Sequence, residues 1–248
     1  MSVQATQDEI AAFNALSERE KMVQGLAYLA LEDKELTKDR LVARTLCQKY
    51  NNHPFIEWKD DFDIAEFYGP DSRLQHLADL FHIPLEKTKS IALEPPFVCD
   101  YGYNIEFKGD FYANFGLVAL DCAKISFGER IVMGPGVHLY CATHSIHVDE
   151  RLAGYERAYP IEIGDDTWVG GGVMIVGPAK IGKNCTIAAG AVVKGDFPDN
   201  VVIGGTPARI LKHLDPPTGP IDAKDKRLMV PLPSAKSAAK NDRVGKPQ

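Results

Sequence analysis

The sequence predicts a mainly β protein, a parallel β-helix preceded by a short α-helical region. Aliphatic side chains recur every six residues at Ile163, Val169, Ile175, Ile181, Ile187 and Val193. An earlier array of period six comprises Phe107, Ala113, Ala119, Ile125, Ile131 and Val137. This period fits neither an amphipathic helix nor hairpin-connected strands, but it fits a chain that repeatedly forms a short strand and turns. Ten of the 21 glycines lie between 161 and 205, as expected where tight corners need small residues.

The first third of the chain has helical patterns. Ser17 and Glu20 match a capping box, and apolar residues at helical spacing follow as far as Ala30. Thr37 is expected to cap a second helix and Asp71 a third. Because short amphipathic helices cannot form a core alone, we expect them to lie against the β-helix.

Two stretches interrupt or follow the repeats. Val137 and Ile163 are 26 residues apart, which is four hexads and two residues over, so the chain must leave the stack between the arrays. The interpretation is an excursion loop at 143–160 that carries two histidines, and long loops on repeat scaffolds often hold function. Residues 215–248 contain six of the 16 prolines and read as a linker or disordered tail, with packing of 228–232 on a neighbouring subunit as the alternative.

Composition excludes several classes of protein. A net charge of −6 gives no sign of nucleic-acid binding. The sequence contains no run of 18 apolar residues, so no membrane span is predicted. The first residues have neither the basic nor the apolar part of a secretory signal. Five cysteines without a CxxC pair favour a reducing compartment, and we expect a cytoplasmic protein.

Several motifs together resemble the maltose and galactoside O-acetyltransferases, a hexapeptide-repeat family that includes nodulation acetyltransferases, with the maltose type nearest. They are EKMVQGLAYLALEDKELTKDRLVAR (20–44), CDYGYNI (99–105), FYANFG (111–116), PGVHLYCATHSIH (135–147), PIEIGDDTWVGGG (160–172) and GGTPARILKHL (204–214). The resemblance divides the chain into an N-terminal extension (1–16), a helical module (17–84), a β-helix domain (91–214) and the tail. The segment 53–70 looks longer than the family needs.

The resemblance implies a left-handed β-helix and a homotrimer with active sites between subunits. It also implies acetyl-CoA-dependent transfer of an acetyl group to a hydroxyl, with a sugar as acceptor and no metal required. Such a transfer needs a base for the hydroxyl, donors for the developing oxyanion, and alignment of both substrates.

His144 matches the catalytic histidine of the family. An imidazole, with an ordinary pKa of about 6.5, is a natural base near neutral pH. His147 is the competing candidate, and an exposed histidine without a role is the plain alternative. Because neither Cys141 nor Ser145 lies in a triad pattern, we expect direct attack in a ternary complex, with the Gly171 N–H holding the oxyanion.

Asp100, Tyr112 and Asn114 match positions that contact the acceptor in related enzymes, although Asn114 could be a stacked corner asparagine. A carboxylate that accepts hydrogen bonds from sugar hydroxyls discriminates directionally. The chain departs from the family at Cys122, where an acidic residue is common, and at Ala30, where galactoside enzymes carry an acceptor-site Asp. These departures leave the identity of the sugar open.

Coenzyme A is expected along the coils, where small residues allow close approach and basic residues meet phosphates. The positions that match coenzyme contacts in the family are Asn114, Trp168, Gly171, Ala189, Lys194, Gly195, Arg209 and Lys212. A core or interface aromatic is the alternative for Trp168, and solvated charges are the alternative for Arg209 and Lys212.

Three other functions are open. A γ-type carbonic anhydrase shares the fold but needs three histidines on zinc, here His138, His144 and His147. A non-catalytic trimeric scaffold would not bind acetyl-CoA. An acetyltransferase that acts on an amine or an antibiotic is the strongest alternative, because the same base and coenzyme groove would serve it.

Overall fold

A computed structural model describes residues 4–63, 66–225 and 228. The chain divides into two units, Met1–Asp215 and Pro216–Gln248, and every element below belongs to the first. Most of the predicted tail lies outside the described residues, so its interpretation stays a prediction. The helices are α1 (Gln7–Ala15), α2 (Glu18–Val23), α3 (Lys34–Asn51), α4 (Asp71–Phe81), α5 (Leu85–Thr88) and α6 (Val148–Leu152).

The strands form a parallel β-helix with three faces. The first face contains β1 (Ile91–Leu93), β4 (Phe111–Ala113), β7 (Ile131–Met133), β12 (Trp168–Val169), β14 (Thr186–Ile187) and β16 (Val201–Gly205), with β17 (Ala208–His213) antiparallel at its end. The second contains β2 (Phe97–Cys99), β5 (Leu117–Leu120), β8 (His138–Tyr140) and the start of β13 (Met174–Ile181). The third contains β3 (Ile105–Phe107), β6 (Ile125–Phe127), β11 (Ile161–Ile163) and the end of β13, and β15 (Val192–Phe197) continues both.

The later hexad array is confirmed by the strand register. Ile163 pairs with Ile181, Val169 with Ile187 and Ile175 with Val193, and all six side chains are buried. Three hexads therefore make one coil of 18 residues. The predicted β-helix, with helices before it, is the fold of this chain.

The earlier array has a different register from the one predicted. Ile105 pairs with Ile125, and Phe107 pairs with Phe127, so each coil there has 20 residues. The two extra residues lie in the turns from the second face to the third, at 100–104 and 120–124. The period of six still selects inward side chains, because an addition of two residues preserves the inside–outside alternation of a strand.

The predicted helices exist, but some of their boundaries were wrong. Ser17 and Glu20 do form the capping box of α2, which ends at Val23 because Gly25 turns the chain with a φ of +73°. Asp33, rather than Thr37, caps α3 by accepting from the Leu36 N–H at 2.8 Å. Pro70 is the N-cap residue of α4, and Asp71 is its first helical residue.

Two hydrogen-bonding side chains fix α3 on the first coil. The Tyr50 hydroxyl donates to the Leu93 carbonyl at 2.6 Å. The Asn51 amide bonds both the N–H and the carbonyl of Phe97 at 2.9 and 2.8 Å. Because these partners are buried backbone groups, their loss would leave unsatisfied polar atoms, at a cost of about 1–3 kcal/mol each. In the described residues, no helix is both long enough and apolar enough to span a bilayer.

Candidate active site

Two corners of the β-helix hold the predicted site residues. The hairpin corner consists of the turns between the second and third faces, at 100–104, 120–124, 141–160, 177–178 and 194–195. The glycine corner consists of the turns between the first and second faces, at 114–116, 134–136, 170–172 and 188–190. The two corners flank the second face, which lies between them.

The excursion loop is an ordered hairpin. Strands β9 (Ala142–His144) and β10 (Glu156–Ala158) pair antiparallel around α6, and Arg157 forms an ion pair with Glu150 at 2.7 Å. His144 is exposed and lies directly opposite Glu156. Opposite residues of an antiparallel pair project to the same side. The hairpin therefore presents an imidazole and a carboxylate on one surface.

Tyr28 ties this hairpin to the helical module. Its backbone exchanges two hydrogen bonds with Glu156, at 3.1 and 3.0 Å, and its hydroxyl donates to the Glu156 carboxylate at 3.4 Å. The Tyr28 side chain is completely buried, and burial raises the pKa of its hydroxyl far above the usual range. The neutral hydroxyl thus acts as a fixed donor that orients Glu156.

Asp100 is buried in the hairpin corner with a charged partner. The Arg40 guanidinium approaches Asp100 Oδ1 through Nη2 at 2.6 Å and Nε at 2.8 Å. The Cys122 thiol donates to Asp100 Oδ2 at 3.4 Å. Burial, and then the Asp100 charge, raise the pKa of Cys122 well above its usual value, so the thiol stays protonated. A buried, protonated cysteine therefore contacts Asp100.

Asp121 organises the enlarged turn that holds Asp100. Its carboxylate accepts from the N–H groups of Asp100, Tyr101 and Gly102 at 3.0, 2.8 and 2.7 Å. Burial raises the pKa of Asp121 to about 6, against the opposing effect of the backbone donors. This carboxylate positions the corner from within, whereas Asp100 lies nearer its surface.

The glycine corner is built from backbone. The N–H groups of Asn114, Gly134 and Gly170 each donate to the next coil, at 3.0, 2.7 and 2.8 Å. A Cβ on Gly134 would lie 2.6 Å from the Gly171 nitrogen, so the coils need glycine to stack this closely. The Asn114 side chain caps its own turn by accepting from the Phe115 N–H at 2.7 Å. That contact is the one expected of a corner asparagine.

The other predicted coenzyme positions lie in both corners and on the first face. Gly171 and Ala189 lie in the glycine corner. Trp168 lies outward on the first face beside that corner, and more than half of its side chain is exposed. Lys194 and Gly195 lie in the hairpin corner. The exposed Arg209 and Lys212 lie on β17, where they pair in register with Gly204 and Val202 of the first face.

The predicted acceptor residues do not form one cluster in a single chain. Asp100 lies in the hairpin corner with the His144 hairpin, whereas Asn114 lies in the glycine corner with Gly171. Tyr112 lies on the first face, in register with Val132. Cavities of about 750 and 700 Å³ lie along α3 and beside β3, and neither is lined by His144 or Trp168. The two halves of the predicted site therefore remain apart within one chain.

Metal chemistry finds no support in the described residues, which contain no group of three or more His, Cys, Asp or Glu side chains placed to hold an ion. His138 points outward on β8, and its Nδ1 lies 2.6 Å from the Tyr140 hydroxyl. His147 is the exposed N-cap residue of α6.

Sequence reasoning missed Tyr28, Arg40 and Glu156. Arg40 had a detectable signal, because it interrupts the buried side of α3 at helical spacing from Leu36 and Ala43. A charge on an apolar stripe predicts a buried ion pair. Glu156 had no such signal, since only the hairpin register places it opposite the histidine.

Two family profiles match the chain. Residues 21–82 match the maltose acetyltransferase hexapeptide capping motif, and residues 160–195 match the bacterial transferase hexapeptide of six repeats. A sophorolipid acetyltransferase of Starmerella bombicola is 36% identical, over 86% of this chain and 80% of the relative.

Two solved structures extend the comparison. A maltose O-acetyltransferase from Clostridium difficile 630 is 35% identical with a TM-score of 0.68, and covers 82% of this chain and 100% of its own. A hexapeptide-repeat acetyltransferase from Vibrio cholerae O1 biovar eltor, solved with acetyl coenzyme A, is 31% identical with a TM-score of 0.63, covering 81% and 100%.

Fold, repeats and capping motif define a hexapeptide-repeat acetyltransferase. The surface of the glycine corner is open, because added Cβ atoms on Gly172 or Gly190 would meet nothing within 4 Å. The chain belongs to the maltose and galactoside O-acetyltransferase family, and it is an acetyl-CoA-dependent O-acetyltransferase.

Proposed function

We propose that this enzyme acetylates a sugar hydroxyl at a site shared by two chains of a homotrimer, with His144 as the general base. One observation carries the proposal. His144 and Asp100 lie in the hairpin corner, whereas Asn114, Gly171 and Ala189 lie in the glycine corner. Both corners flank the second face. A cyclic trimer that turns this face toward its axis would join one corner of each chain to the other corner of its neighbour.

The outer surface of the second face supports this arrangement. Its outward column runs through Val98, Val118, His138 and Met174, of which Val98 and Met174 are exposed apolar side chains and Val118 and His138 are half-buried. The third face instead presents Glu162 and Lys180, which are charged and solvated. Burial of the apolar face between copies is favourable by roughly 25 cal/mol per Å² of apolar surface.

In the proposed reaction, His144 accepts the proton of the acceptor hydroxyl. The hydroxyl oxygen forms the new ester bond as the carbon–sulfur bond breaks, and the imidazolium returns the proton to the departing thiolate. Glu156, held by Tyr28, is placed to stabilise that imidazolium from the same side of the hairpin. No nucleophilic side chain is required.

The oxyanion is assigned to the Gly171 N–H. The N–H groups on either side are already used, since Gly170 donates to Ile187 and Gly172 to Pro135, both at 2.8 Å. Gly171 lies between them at the surface of the glycine corner. A fixed backbone donor at a developing charge contributes roughly 3–4 kcal/mol in acyl transfer.

The acceptor site is assigned to the Asp100–Arg40 pair together with Tyr112 and Asn114 of the neighbouring chain. The ion pair offers both acceptors and donors to vicinal hydroxyls, which favours a sugar over an apolar alcohol. The Starmerella relative is named for a glycolipid substrate, which agrees with a carbohydrate acceptor.

Trp168 is assigned to the pantetheine arm, with the small residues Gly171 and Ala189 beside it. Arg209 and Lys212 are exposed on β17 and are assigned to coenzyme phosphates, with Lys194 and Gly195 supplied by the other corner. We expect no metal to be required, and we expect the enzyme in the cytoplasm.

A screen of acceptors tests the proposal. Sugars, thiogalactosides and chloramphenicol-type acceptors are incubated with acetyl-CoA, and release of the thiol is followed. Turnover with sugars and not with amines or antibiotics is the expected result. Preference for an amine or an antibiotic would contradict the sugar assignment but not the family.

A further inference from the structure

Two buried cysteines meet where the helical module joins the first coil. The Sγ atoms of Cys47, on α3, and Cys99, at the end of β2, lie 3.7 Å apart, and the two residues are 3% and 7% exposed. They are 52 residues apart in sequence and come from different parts of the fold. Free cysteines often serve only as small apolar core residues. A disulfide places its sulfurs about 2.05 Å apart, so an approach of roughly 1.7 Å would join this pair.

A cavity gives a small oxidant access to this pair. It has a volume of about 320 Å³, is lined by both cysteines, and extends to the exposed side chains of Arg44, Gln48 and Val98. Hydrogen peroxide is little larger than a water molecule, whose share of liquid volume is about 30 Å³, so the cavity accommodates it. Arg44 also places a positive charge at the cavity, and a nearby positive charge favours a thiolate.

The two thiols of the pair differ in reactivity. The contact with the Cys99 thiol lowers the pKa of Cys47 against the effect of burial, whereas the same contact and burial raise the pKa of Cys99 well above its usual value. The thiolate is the nucleophile in thiol oxidation. An oxidant is therefore expected to react first with Cys47, and Cys99 is the neighbour that can close the disulfide.

The other three cysteines are in different surroundings. Cys122 donates to Asp100, and Cys185 donates to two backbone carbonyls, each at 3.4 Å. Burial raises the pKa of Cys141 to about 12. All five cysteines are free and buried, so the short distance between the sulfurs, and not exposure, distinguishes Cys47 and Cys99.

Both cysteines are connected to the ion pair assigned to the acceptor. Cys99 directly precedes Asp100 in the chain. Cys47 follows Arg40 by seven residues on α3, which is almost two helical turns, so both side chains project from the same side of the helix. The Arg40 guanidinium contacts Asp100 at 2.6 and 2.8 Å, and such a paired contact depends on its geometry. Drawing the sulfurs together would therefore shift α3 against β2 where this ion pair is held.

We propose that Cys47 and Cys99 are a redox-modification site, at which a peroxide forms a reversible disulfide that weakens binding of the acceptor. The Cys47 thiolate attacks one peroxide oxygen, the O–O bond breaks, and the departing hydroxide takes a proton and becomes water. The Cys99 sulfur then attacks the sulfenic sulfur, the S–S bond forms, and a second water leaves with the Cys99 proton. The two thiols lose two electrons and the peroxide gains them.

Reversal of the disulfide needs only a dithiol, which exchanges with it and restores both thiols. Transient disulfides of this kind are compatible with the reducing compartment that the cysteine pattern favours. The effect on the acceptor rests on the proposed function, whereas formation of the disulfide does not.

Thiol counts and peptide masses test the disulfide. Wild-type enzyme is treated with hydrogen peroxide, denatured and titrated with an aromatic disulfide reagent, and the count is expected to fall from five thiols to three, with Cys47 and Cys99 linked in the peptide map. Cys99→Ser is expected instead to hold a sulfenic acid at Cys47, which a cyclic 1,3-diketone traps. Cys185→Ser is the matched control and should still form the link. Five remaining thiols, or a link between other cysteines, would overturn the inference.

Steady-state kinetics with maltose as the acceptor tests the effect on the site. Peroxide is expected to raise KM for maltose roughly tenfold, since a displacement of about an ångström is enough to misplace a substrate. KM for acetyl-CoA should stay unchanged, and dithiothreitol should reverse the effect. An unchanged KM for maltose in the cross-linked enzyme, or the same response in Cys47→Ser, would reject the regulatory role. If neither maltose nor another sugar is acetylated, the proposed function fails, and the thiol count still decides whether the disulfide forms.

Discussion

The hairpin corner and the glycine corner belong to the same repeat but differ in how regular the chain is as it passes through them. From the first face to the second, inward positions are six residues apart in every coil, as at Ala113 to Ala119 and Ile187 to Val193. From the second face to the third, the spacing is eight residues in the first two coils, 24 across the excursion and four at the last turn. All of the irregularity of the β-helix is confined to one corner.

Each corner is suited to a different part of the reaction. The regular corner stacks backbone on backbone, with a contact at Gly134 that excludes even one Cβ, and offers N–H groups at fixed positions. The irregular corner gathers side chains from distant segments, Arg40 and Tyr28 from the helical module and His144 from the hairpin. Proton transfer and acceptor recognition need side chains, whereas a thioester and its oxyanion can be held by backbone.

Removal of the base should produce the largest effect. His144→Ala is expected to lower kcat by roughly 10²–10⁴, the usual contribution of a positioned general base, with acetyl-CoA affinity unchanged. Steady-state kinetics with isothermal titration of the coenzyme gives both quantities. His147→Ala is the matched control, and a loss confined to that variant would move the base to His147.

The buried carboxylate of Asp121, in the hairpin corner, should make the stability of the protein depend on pH. Because the pKa of Asp121 is raised to about 6 from an ordinary 3.8, the folded state favours the protonated form. Its stabilising contribution is fully present below pH 3.8 and is lost as the pH rises through 6. Between pH 7 and pH 4, the free energy of unfolding of the wild type should gain about 2 kcal/mol relative to Asp121→Asn. Denaturant titrations at both pH values measure the difference, and a gap that stays constant would place the ionised form in the folded protein.

A contact on the coenzyme side should change binding without changing chemistry. Arg209→Ala is expected to raise KM for acetyl-CoA about tenfold and to spare KM for the acceptor, since a phosphate contact far from the carbonyl contributes uniform binding. Lys180→Ala, a solvated lysine of the third face, is the matched control. Equal turnover of acetyl-CoA and its dephospho analogue by the wild type would count against the phosphate assignment.

Mixing two defective chains tests whether the corners meet between subunits. His144→Ala and Trp168→Arg carry lesions in different corners and should each be inactive. After co-refolding at equal amounts, about one quarter of shared sites combine two intact corners, so activity should recover to about that fraction of wild type. Mass is followed by light scattering. Sites contained within one chain would recover no activity, and an active monomer would end the shared-site proposal.

The sequence predicted the regular part of the molecule well because the six-residue period of apolar side chains corresponds directly to the successive strands of each coil. The hexads from Ile163 to Val193 correspond to coils of 18 residues, and the break before Ile163 identified the excursion. The extra residues at 100–104 and 120–124 escaped prediction, because an insertion of two leaves the inward alternation intact. The prediction of helix caps failed where a neighbouring residue, such as Asp33, caps the helix in place of the expected one.

The sequence named candidate site positions but did not give their arrangement. Asp100 and Asn114 were expected together, yet they lie at different corners because β3 and β4 come between them in the coil. The role of Tyr28 depends on a single bridge to Glu156, 128 residues away. Contacts of this range arise from tertiary packing and leave no local pattern.

The confinement of irregularity to one corner has a consequence for how such enzymes diversify. A turn that accommodates two or eighteen added residues, or loses two, while its neighbours keep their register is a natural site for insertion and deletion. If the proposed site is correct, exchange of loops at the hairpin corner would change the surroundings of Asp100 and His144 and leave the backbone of the glycine corner unchanged. Each coil of the β-helix thus has one corner whose length can change, the hairpin corner, and one whose length is constant, the glycine corner.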